Sequence, residues 1–523
     1  MNTLIYASVF GILALYVVRL SHFRKRGALP LPPGPKGLPL VGNIHDLPPH
    51  GSREWEHWLK HKDIYGPISS VSTPGNTLII INDAKVAIDL LEKRSAQYSS
   101  RPRMIFGSEL AGWERMVTMK RNPVHVRGAR RRIHQYLGSA NALSSFYTQQ
   151  DIEARRFLLR ALQSPERLVD HIRSQTGATI LKIVYGYTTQ PHGRDPLVDL
   201  ADTSTEQFGK AHTPGTWLVD SFPLCIEILP EWVPGAGFQT KAREWRSTLD
   251  KLAEQPYLFV QEQMKNRTCQ PSYVSKHLTQ AGPDIDSEEE MEIKWSAATL
   301  YGAGADTTVS ALSSFFLAMA LFPTVQTKAQ EELDCVVGTS LPTTEDRTNL
   351  PYINAVIKEV LRWNPVTPLG VAHASTKEDV YEGYRTPKDA TIVPNIWAFL
   401  HDPEVYSDPM TFNPERFLET ETHPAEIDPH NLAFGFGRII CPGRGFADST
   451  IFLTVVRSLQ AFRIGKLVRD GREIEPAVDY LPGVISHPKA FEISITPRSK
   501  EHELFIRSIE IEHPWDKGDI VIV

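Results

Sequence analysis

The sequence predicts a mainly α-helical protein with small β-sheets and an N-terminal transmembrane helix. Ile293 to Leu321 is long, apolar and helical in pattern, rich in Ala, Ser and Leu, and is stopped by Pro323. Thr77 to Ile81 reads Thr-Leu-Ile-Ile-Ile before Asn82-Asp83, the length and β-branched content of a strand. Leu4 to Val18 is an almost unbroken apolar run at the amino end.

That run is slightly shorter than the roughly 17–25 residues of a comfortable span. The thin bilayer of the endoplasmic reticulum and snorkelling of Arg19 make up the difference. Arg19, Arg24, Lys25 and Arg26 all follow the run and no basic residue precedes it. This favours an anchor over a cleaved signal peptide and puts the body on the cytosolic side. Residues 1–20 are read as the anchor and 21–50 as a basic, proline-rich hinge. Pro30-Leu31-Pro32-Pro33-Gly34-Pro35 is a stiff, extended stretch there, read as a spacer between membrane and body.

The 523 residues are 41% hydrophobic and 22% charged, a globular composition, and a net charge of -5 gives no general attraction to nucleic acid. Cys225, Cys269, Cys335 and Cys441 show neither CxxC nor metal-type spacing, so a disulfide framework is not expected. The body is read as one unit, residues 51–498, followed by an extension, 499–523, to which the sequence gives no role.

Within the body, Ala84 to Lys93 follows the first strand as a helix. Val126 to Leu137 is a basic helix in which Arg127, Arg130, Arg131 and Arg132 cannot all share one face. It either divides them between an internal anion and the surface or presents a solvated basic face. Thr216 to Phe238 is apolar but broken by prolines, which suits a loop on lipid, the lining of an access route, or a core segment with turns. The acidic stretch Asp284 to Glu292 caps the long helix that follows.

The middle of that helix reads Ala303-Gly304-Ala305-Asp306-Thr307-Thr308. A glycine costs roughly 1 kcal/mol inside a helix, a buried Asp needs partners, and a threonine hydroxyl can bond the carbonyl one turn back. Such a turn suits either a groove that admits a small ligand and supplies protons to it, or a kinked core helix with satisfied polar groups. Glu359 and Arg362 share a face of the helix Ile353 to Trp363, and Pro414-Glu415-Arg416-Phe417 holds a second Glu-Arg pair. Phe434-Gly435-Phe436-Gly437-Arg438-Ile439-Ile440-Cys441-Pro442-Gly443-Arg444-Gly445 is a glycine-rich loop that presents one cysteine before a helix start. The helix end and backbone N–H groups stabilise a thiolate there, as an axial haem ligand requires. The loop alone equally suits a buried, inert cysteine.

In this order the four motifs resemble the cytochrome P-450 family of haem-thiolate monooxygenases. The Pro-Pro-Gly-Pro hinge after an anchor is similar to that of microsomal members, and Asn395-x-Trp397-Ala398-x-x-His401-Asp402-Pro403 is typical of the family. The resemblance spans roughly Pro32 to Arg498. Pro368-Leu369-Gly370-Val371 and Trp232-x-Pro234-Gly235-Ala236-Gly237-Phe238 resemble fungal enzymes of secondary metabolism.

The resemblance implies a cytochrome P-450 fold with a long central helix over haem. It makes Cys441 the thiolate ligand of the iron, with Phe434 beside the sulfur and Gly437 and Gly443 letting the loop lie against the porphyrin. Asp306 and Thr307 would relay protons, and Gly304 would open room for oxygen. Glu359, Arg362 and Arg416 would form a buried ion-pair network behind the haem, and Arg130 and His373 would hold its propionates. Two positions depart from the family pattern: Ile439 stands where an arginine is usual, and Val126 where a tryptophan is usual. Both usual residues contact propionates, so another basic residue must substitute or haem binds less tightly; Arg438, next to the gap, should point the other way.

The implied partners are O2, an apolar small-molecule substrate, and an NADPH-cytochrome P-450 reductase met at the membrane by the basic helix. Secondary metabolism points to a terpenoid or polyketide skeleton. The substrate pocket is expected between Ser108–Val117, Trp217–Phe238, Ala298–Ala305 and Val366–Val371. A haem-dependent isomerase or dehydratase that rearranges a peroxide, and a haem-binding protein with impaired catalysis, are the alternatives.

Overall fold

The computed structural model describes residues 11, 29–39, 41–121, 123–213, 216–221, 236–421 and 424–521. The predicted anchor, apart from Gly11, the basic residues behind it and most of the Thr216 to Phe238 stretch lie outside the described residues.

The helices that position the site are, in chain order, α1 (Pro123–Leu137), α2 (Tyr147–Gln163), α3 (Leu168–Tyr185), α4 (Pro196–Ala211), α5 (Gly237–Lys265), α6 (Ser287–Leu321), α7 (Pro351–Trp363), α8 (Arg444–Ala461) and α9 (Lys500–Glu512). Helix α6 is the long apolar element of the sequence. It starts six residues before Ile293, because Glu288, Glu289 and Glu290 form a solvated first turn that carries no apolar period. Asp286 caps it, accepting a hydrogen bond from the Glu289 N–H at 2.8 Å, and the acidic turn complements the helix dipole.

Helix α6 threads two apolar clusters. Ile293, Trp295, Ala298, Leu300, Tyr301 and Ala305 pack in one with α3 and α5. Val309, Leu312, Phe315 and Phe316 pack in the other with α2, α7 and α8. A helix wrapped by neighbours on all sides is apolar on all sides. Among the described residues it alone is long and apolar enough to cross a membrane, but 83% of its apolar window is buried, as in a core helix. The seam between the clusters is the Asp306–Thr308 turn.

Among the described residues three small sheets lie around the helices. Strands β1 (Ile68–Ser72), β2 (Thr77–Ile81), β3 (His373–Ala374) and β6 (Thr391–Pro394) form one, in the order β1-β2-β6-β3. Ser69 pairs antiparallel with Ile80, Ile79 parallel with Ile392, and His373 antiparallel with Ile392. Strand β2 is covered on both faces, so its apolar run does not alternate. A hairpin, β4 (Asp379–Tyr381) with β5 (Tyr384–Thr386), and a three-stranded sheet, β8 (Arg472–Ile474), β7 (Phe462–Arg469) and β9 (Ile493–Pro497), complete the set.

Two segments differ from the sequence expectation. Ala84 to Lys93 begins as an α-turn capped by Asp83 and then widens into a π-helix over Ile88–Lys93. The proline-rich stretch is not a free spacer from Pro30 onward. Pro33 O accepts the Ser70 N–H at 2.8 Å, Pro32 O accepts the Ser70 hydroxyl at 2.6 Å, and Pro30 O accepts the Arg385 N–H at 2.7 Å. Proline supplies no donor of its own, so its carbonyls take these bonds along the sheet edge.

The extension after Arg498 belongs to the same body. Ser499 caps α9, whose Ile506 and Ile509 are fully buried in the cluster of α2 and α8.

Candidate active site

Cys441 sits where the sequence placed it, three residues before α8. Its N–H donates to the Phe434 carbonyl at 2.8 Å, closing the loop into a compact turn. Burial raises the Cys441 thiol above its ordinary value; the Gly443 N–H and the charges of Arg130 and Arg444 pull the other way. These are the donors and charges that a thiolate needs once a cation binds the sulfur. Phe434 stacks on His430, with centroids 5.7 Å apart and planes at 22°.

The two loop glycines have different reasons. Gly437 adopts φ +57, and a Cβ there would collide with the Leu91 carbonyl oxygen and meet Ser95 Cβ at 2.6 Å. Close packing on Leu91 of the π-helix and on Ser95 by itself requires a glycine here. At Gly443 a Cβ would meet no protein atom within 4 Å.

The basic helix α1 divides its arginines. Arg127 and Arg131 are exposed. Arg132 pairs with Glu289 at 3.0 Å and Glu292 at 3.2 Å on the first turns of α6. Arg130 turns inward, and its Nη2 donates to the Ile440 carbonyl. Arg438 is exposed, as its alternation with Ile439 suggests.

Arg101 lies beside Arg130, and His373 lies beside Arg101. His373 is 4% exposed on β3, with Nδ1 2.8 Å from the Tyr98 carbonyl. Arg101 is 7% exposed and donates to the carbonyls of Thr118 at 2.7 Å, Val371 at 2.6 Å and Ala372 at 2.9 Å. Burial and the charge of Arg130 push Arg101 down to about 9, and burial with the charge of Arg101 pushes His373 down to about 3. Among the described residues no carboxylate bonds Arg101 or Arg130. A buried Arg101 and a half-buried Arg130 that repel each other, with the buried His373 next to Arg101, are the counterpart of an anionic guest, and haem propionates are such a guest. Sequence reasoning missed Arg101, because Ser100-Arg101-Pro102 lies in no motif and its partners are all carbonyls distant in sequence.

On α6, the Thr307 hydroxyl donates to the Ala303 carbonyl at 2.8 Å. Ala303 is exposed and Thr307 half-buried, one turn apart, so together they line a cleft in an otherwise buried helix. Gly304 does not share that face: a Cβ there would sit 3.0 Å from Ile180 of α3. Its role is close helix packing, and the small residue over the cleft is Ala303. Asp306 and Thr307 are not hydrogen-bonded to each other. Asp306, 6% exposed, accepts from His487 Nε2 at 3.0 Å and lies 3.7 Å from Arg173 on α3, which itself pairs with Asp202 on α4. Burial would raise the Asp306 carboxyl, but His487 and then Arg173 hold it below its ordinary value.

Glu359, Arg362 and Arg416 form a buried ion-pair network. Glu359 and Arg362 have no solvent exposure and Arg416 has 3%. Arg362 donates to Glu359 at 2.6 and 2.9 Å, Arg416 reaches Glu359 Oε1 at 3.2 Å, and Arg416 also takes Glu426 at 2.8 Å. Glu426 makes the set neutral, two arginines against two glutamates, and was not singled out in the sequence.

The expected pocket segments converge. Val117 N–H donates to Thr299 Oγ1 at 2.9 Å, Phe106 stacks on Trp217 at 3.4 Å, and Val371 packs on the same apolar cluster.

Residues 32–495 match the family model for cytochrome P450. The chain belongs to the cytochrome P450 family. Its relatives include cytochrome P450 monooxygenase ppsD of Aspergillus oryzae, 47% identical over 93% of both chains. Cytochrome P450 monooxygenase claR of Ampulloclitocybe clavipes is 45% identical over 98% of this chain and 94% of its own. O-methylsterigmatocystin oxidoreductase of Aspergillus flavus is 44% identical over 97% of this chain and 96% of its own. This P450 is an oxidoreductase of the monooxygenase type with haem as its cofactor, similar to these fungal enzymes.

Proposed function

We propose that this P450 is a microsomal monooxygenase that inserts one atom of O2 into an apolar secondary metabolite of terpenoid or polyketide skeleton. NADPH-derived electrons would come from a cytochrome P-450 reductase. The observation that carries the reading is the loop of Cys441, bonded by the half-buried Arg130, with the buried Arg101 beside Arg130 and the buried His373 beside Arg101.

Cys441 would bind the iron, and Arg130, Arg101 and His373 would hold the propionates, Arg101 making good the loss at Ile439. Haem held there would supply O2 activation, with the Cys441 thiolate donating electron density to it. The protein's own residues supply the rest. Thr307, over the cleft, holds a proton at Oγ1, and Asp306 is the acid behind it. The apolar cluster around Phe106, Trp295, Leu300 and Tyr301 excludes water and favours an apolar substrate. Glu359, Arg362, Arg416 and Glu426 hold the chain around α7 in shape. The exposed Arg127 and Arg131 suit an acidic reductase surface. The amino-terminal run would anchor the body on the cytosolic side of the endoplasmic reticulum.

The test is the reduced, carbon monoxide-treated full-length protein. It should show the Soret band of a thiolate-ligated haem, and Cys441→Ser should lose that band. An unchanged band in the variant overturns the ligand assignment. Feeding terpenoid and polyketide scaffolds to a reductase-containing host identifies the substrate class; no oxygenated product from either overturns it.

A further inference from the structure

The Asp306 carboxylate has two cationic neighbours, and they differ in what they can give. Arg173 stays protonated at any physiological pH, so it fixes charge but hands over no proton. His487, 3.0 Å from Asp306 Oδ2, can hand over a proton and recover it. We propose that His487 is the residue that reloads Asp306 with protons during the monooxygenase cycle, an inference that rests on the reading above.

The fold builds this contact from α6 itself. Ser310 stands one turn after Asp306 on the same face, and its hydroxyl donates to the Ser486 carbonyl at 2.5 Å. Ser486 N–H donates to the Val366 carbonyl at 2.9 Å, and the His487 carbonyl accepts the Leu481 N–H at 2.8 Å. The loop that carries the imidazole is therefore clamped on both sides of the ring. The His487 side chain is 17% exposed and that of Asp306 8%, so the ring stands between the carboxylate and water. The charged groups facing Asp306 are His487 from this loop, Arg173 from α3 and, behind Arg173, Asp202 from α4.

The step is a single proton transfer. The Nε2–H bond breaks, its electron pair stays on the ring, and the proton forms an O–H bond on Asp306 Oδ2. The ring takes a replacement proton from water. Transfer leaves a neutral acid on Asp306, which removes the charge that draws the carboxyl toward Arg173 and away from Thr307. The acid is then free to turn toward the cleft, about 100° around the helix.

The experiment compares His487→Gln with His487→Lys in the full-length holoenzyme with reductase, O2 and substrate. Gln offers Asp306 an N–H but no transferable proton; Lys offers both. Melting temperature and the carbon monoxide band are read for each variant, so loss of fold is seen separately. Product per NADPH should fall about 10-fold in His487→Gln, with more peroxide and a larger solvent isotope effect, and recover in His487→Lys. Wild-type coupling in His487→Gln overturns the inference, and so does equal loss in both variants, which would make the ring a structural prop. A wild-type protein without the thiolate-haem band fails the parent reading instead.

Discussion

Nη2 of Arg130 donates to the carbonyl of Ile440, the residue before Cys441. One arginine thus ties α1 to the cysteine loop while standing beside Arg101, whose guanidinium bonds only carbonyls among the described residues. Charge-assisted hydrogen bonds contribute about 1.5–3 kcal/mol each, or roughly 10–100-fold in affinity. Arg101→Gln should therefore retain haem about 10-fold less tightly, measured as haem-to-protein absorbance after transfer to an excess of apomyoglobin. Arg438→Gln, on an exposed side chain, should retain haem as the wild type does. Equal retention in Arg101→Gln would remove Arg101 from the propionate set.

Much of this site is legible in the sequence because its parts are local. Strand Thr77–Ile81, the Glu359–Arg362 pair and the loop around Cys441 are each set by neighbours within a turn or two. Residues whose meaning comes from distant partners stay hidden. Arg101, Glu426 and His487 carry no local pattern, and their partners are set by chain crossings. Gly304 and Gly437 were visible as glycines but not as contacts: Ile180 and Leu91, which explain them, lie far away in sequence.

Gly304 faces Ile180 at a distance that leaves no room for a methyl group without movement. Gly304→Ala gains helix propensity of about 1 kcal/mol but pushes on Ile180 Cγ1 and Cδ1, both 3.0 Å away. Overpacking costs about 1–3 kcal/mol, so the variant should be less stable by up to about 2 kcal/mol. Removing Cδ1 in the double variant with Ile180→Val should recover part of that loss. Thermal unfolding of the two singles and the double measures the coupling. Strict additivity would show that the two side chains do not meet.

His430 lies between two carboxylates, with Nδ1 2.8 Å from Asp428 and Nε2 3.1 Å from Asp448. Burial would lower its pKa, but Asp428 and then Asp448 outweigh burial and raise it from 6.5 to about 9. A raised folded value means that the imidazolium contributes its full stability below pH 6.5 and loses it as pH rises through about 9. The contribution is on the order of 1–3 kcal/mol. Urea unfolding at a series of pH values should show wild-type stability falling across that window, with a flatter profile in His430→Gln. A parallel fall in both proteins would show that His430 is not the titrating group.

Trp515 is held between two arginines of α2, with Arg156 at 5.1 Å and Arg160 at 4.7 Å from its ring. Arg156 also donates to the Pro514 carbonyl at 2.9 Å and reaches Asp516 at 3.1 Å. Four residues on from Trp515, Asp519 accepts the Thr188 N–H at 2.8 Å, so the strap after α9 joins α2 to the end of α3. Helix α3 in turn carries Arg173, Ile180 and Thr176, and the Thr176 hydroxyl reaches the Ala305 carbonyl at 3.0 Å. A cation–π contact at a half-buried site contributes about 1–2 kcal/mol, and Trp515 makes two. Trp515→Ala should therefore lower stability by about 2–3 kcal/mol in thermal unfolding of the holoenzyme. Ile511→Ala, at a position 84% exposed on α9, should change it by less than about 0.5 kcal/mol. A Trp515→Ala protein as stable as the wild type would mean that the strap rests on α2 without holding it.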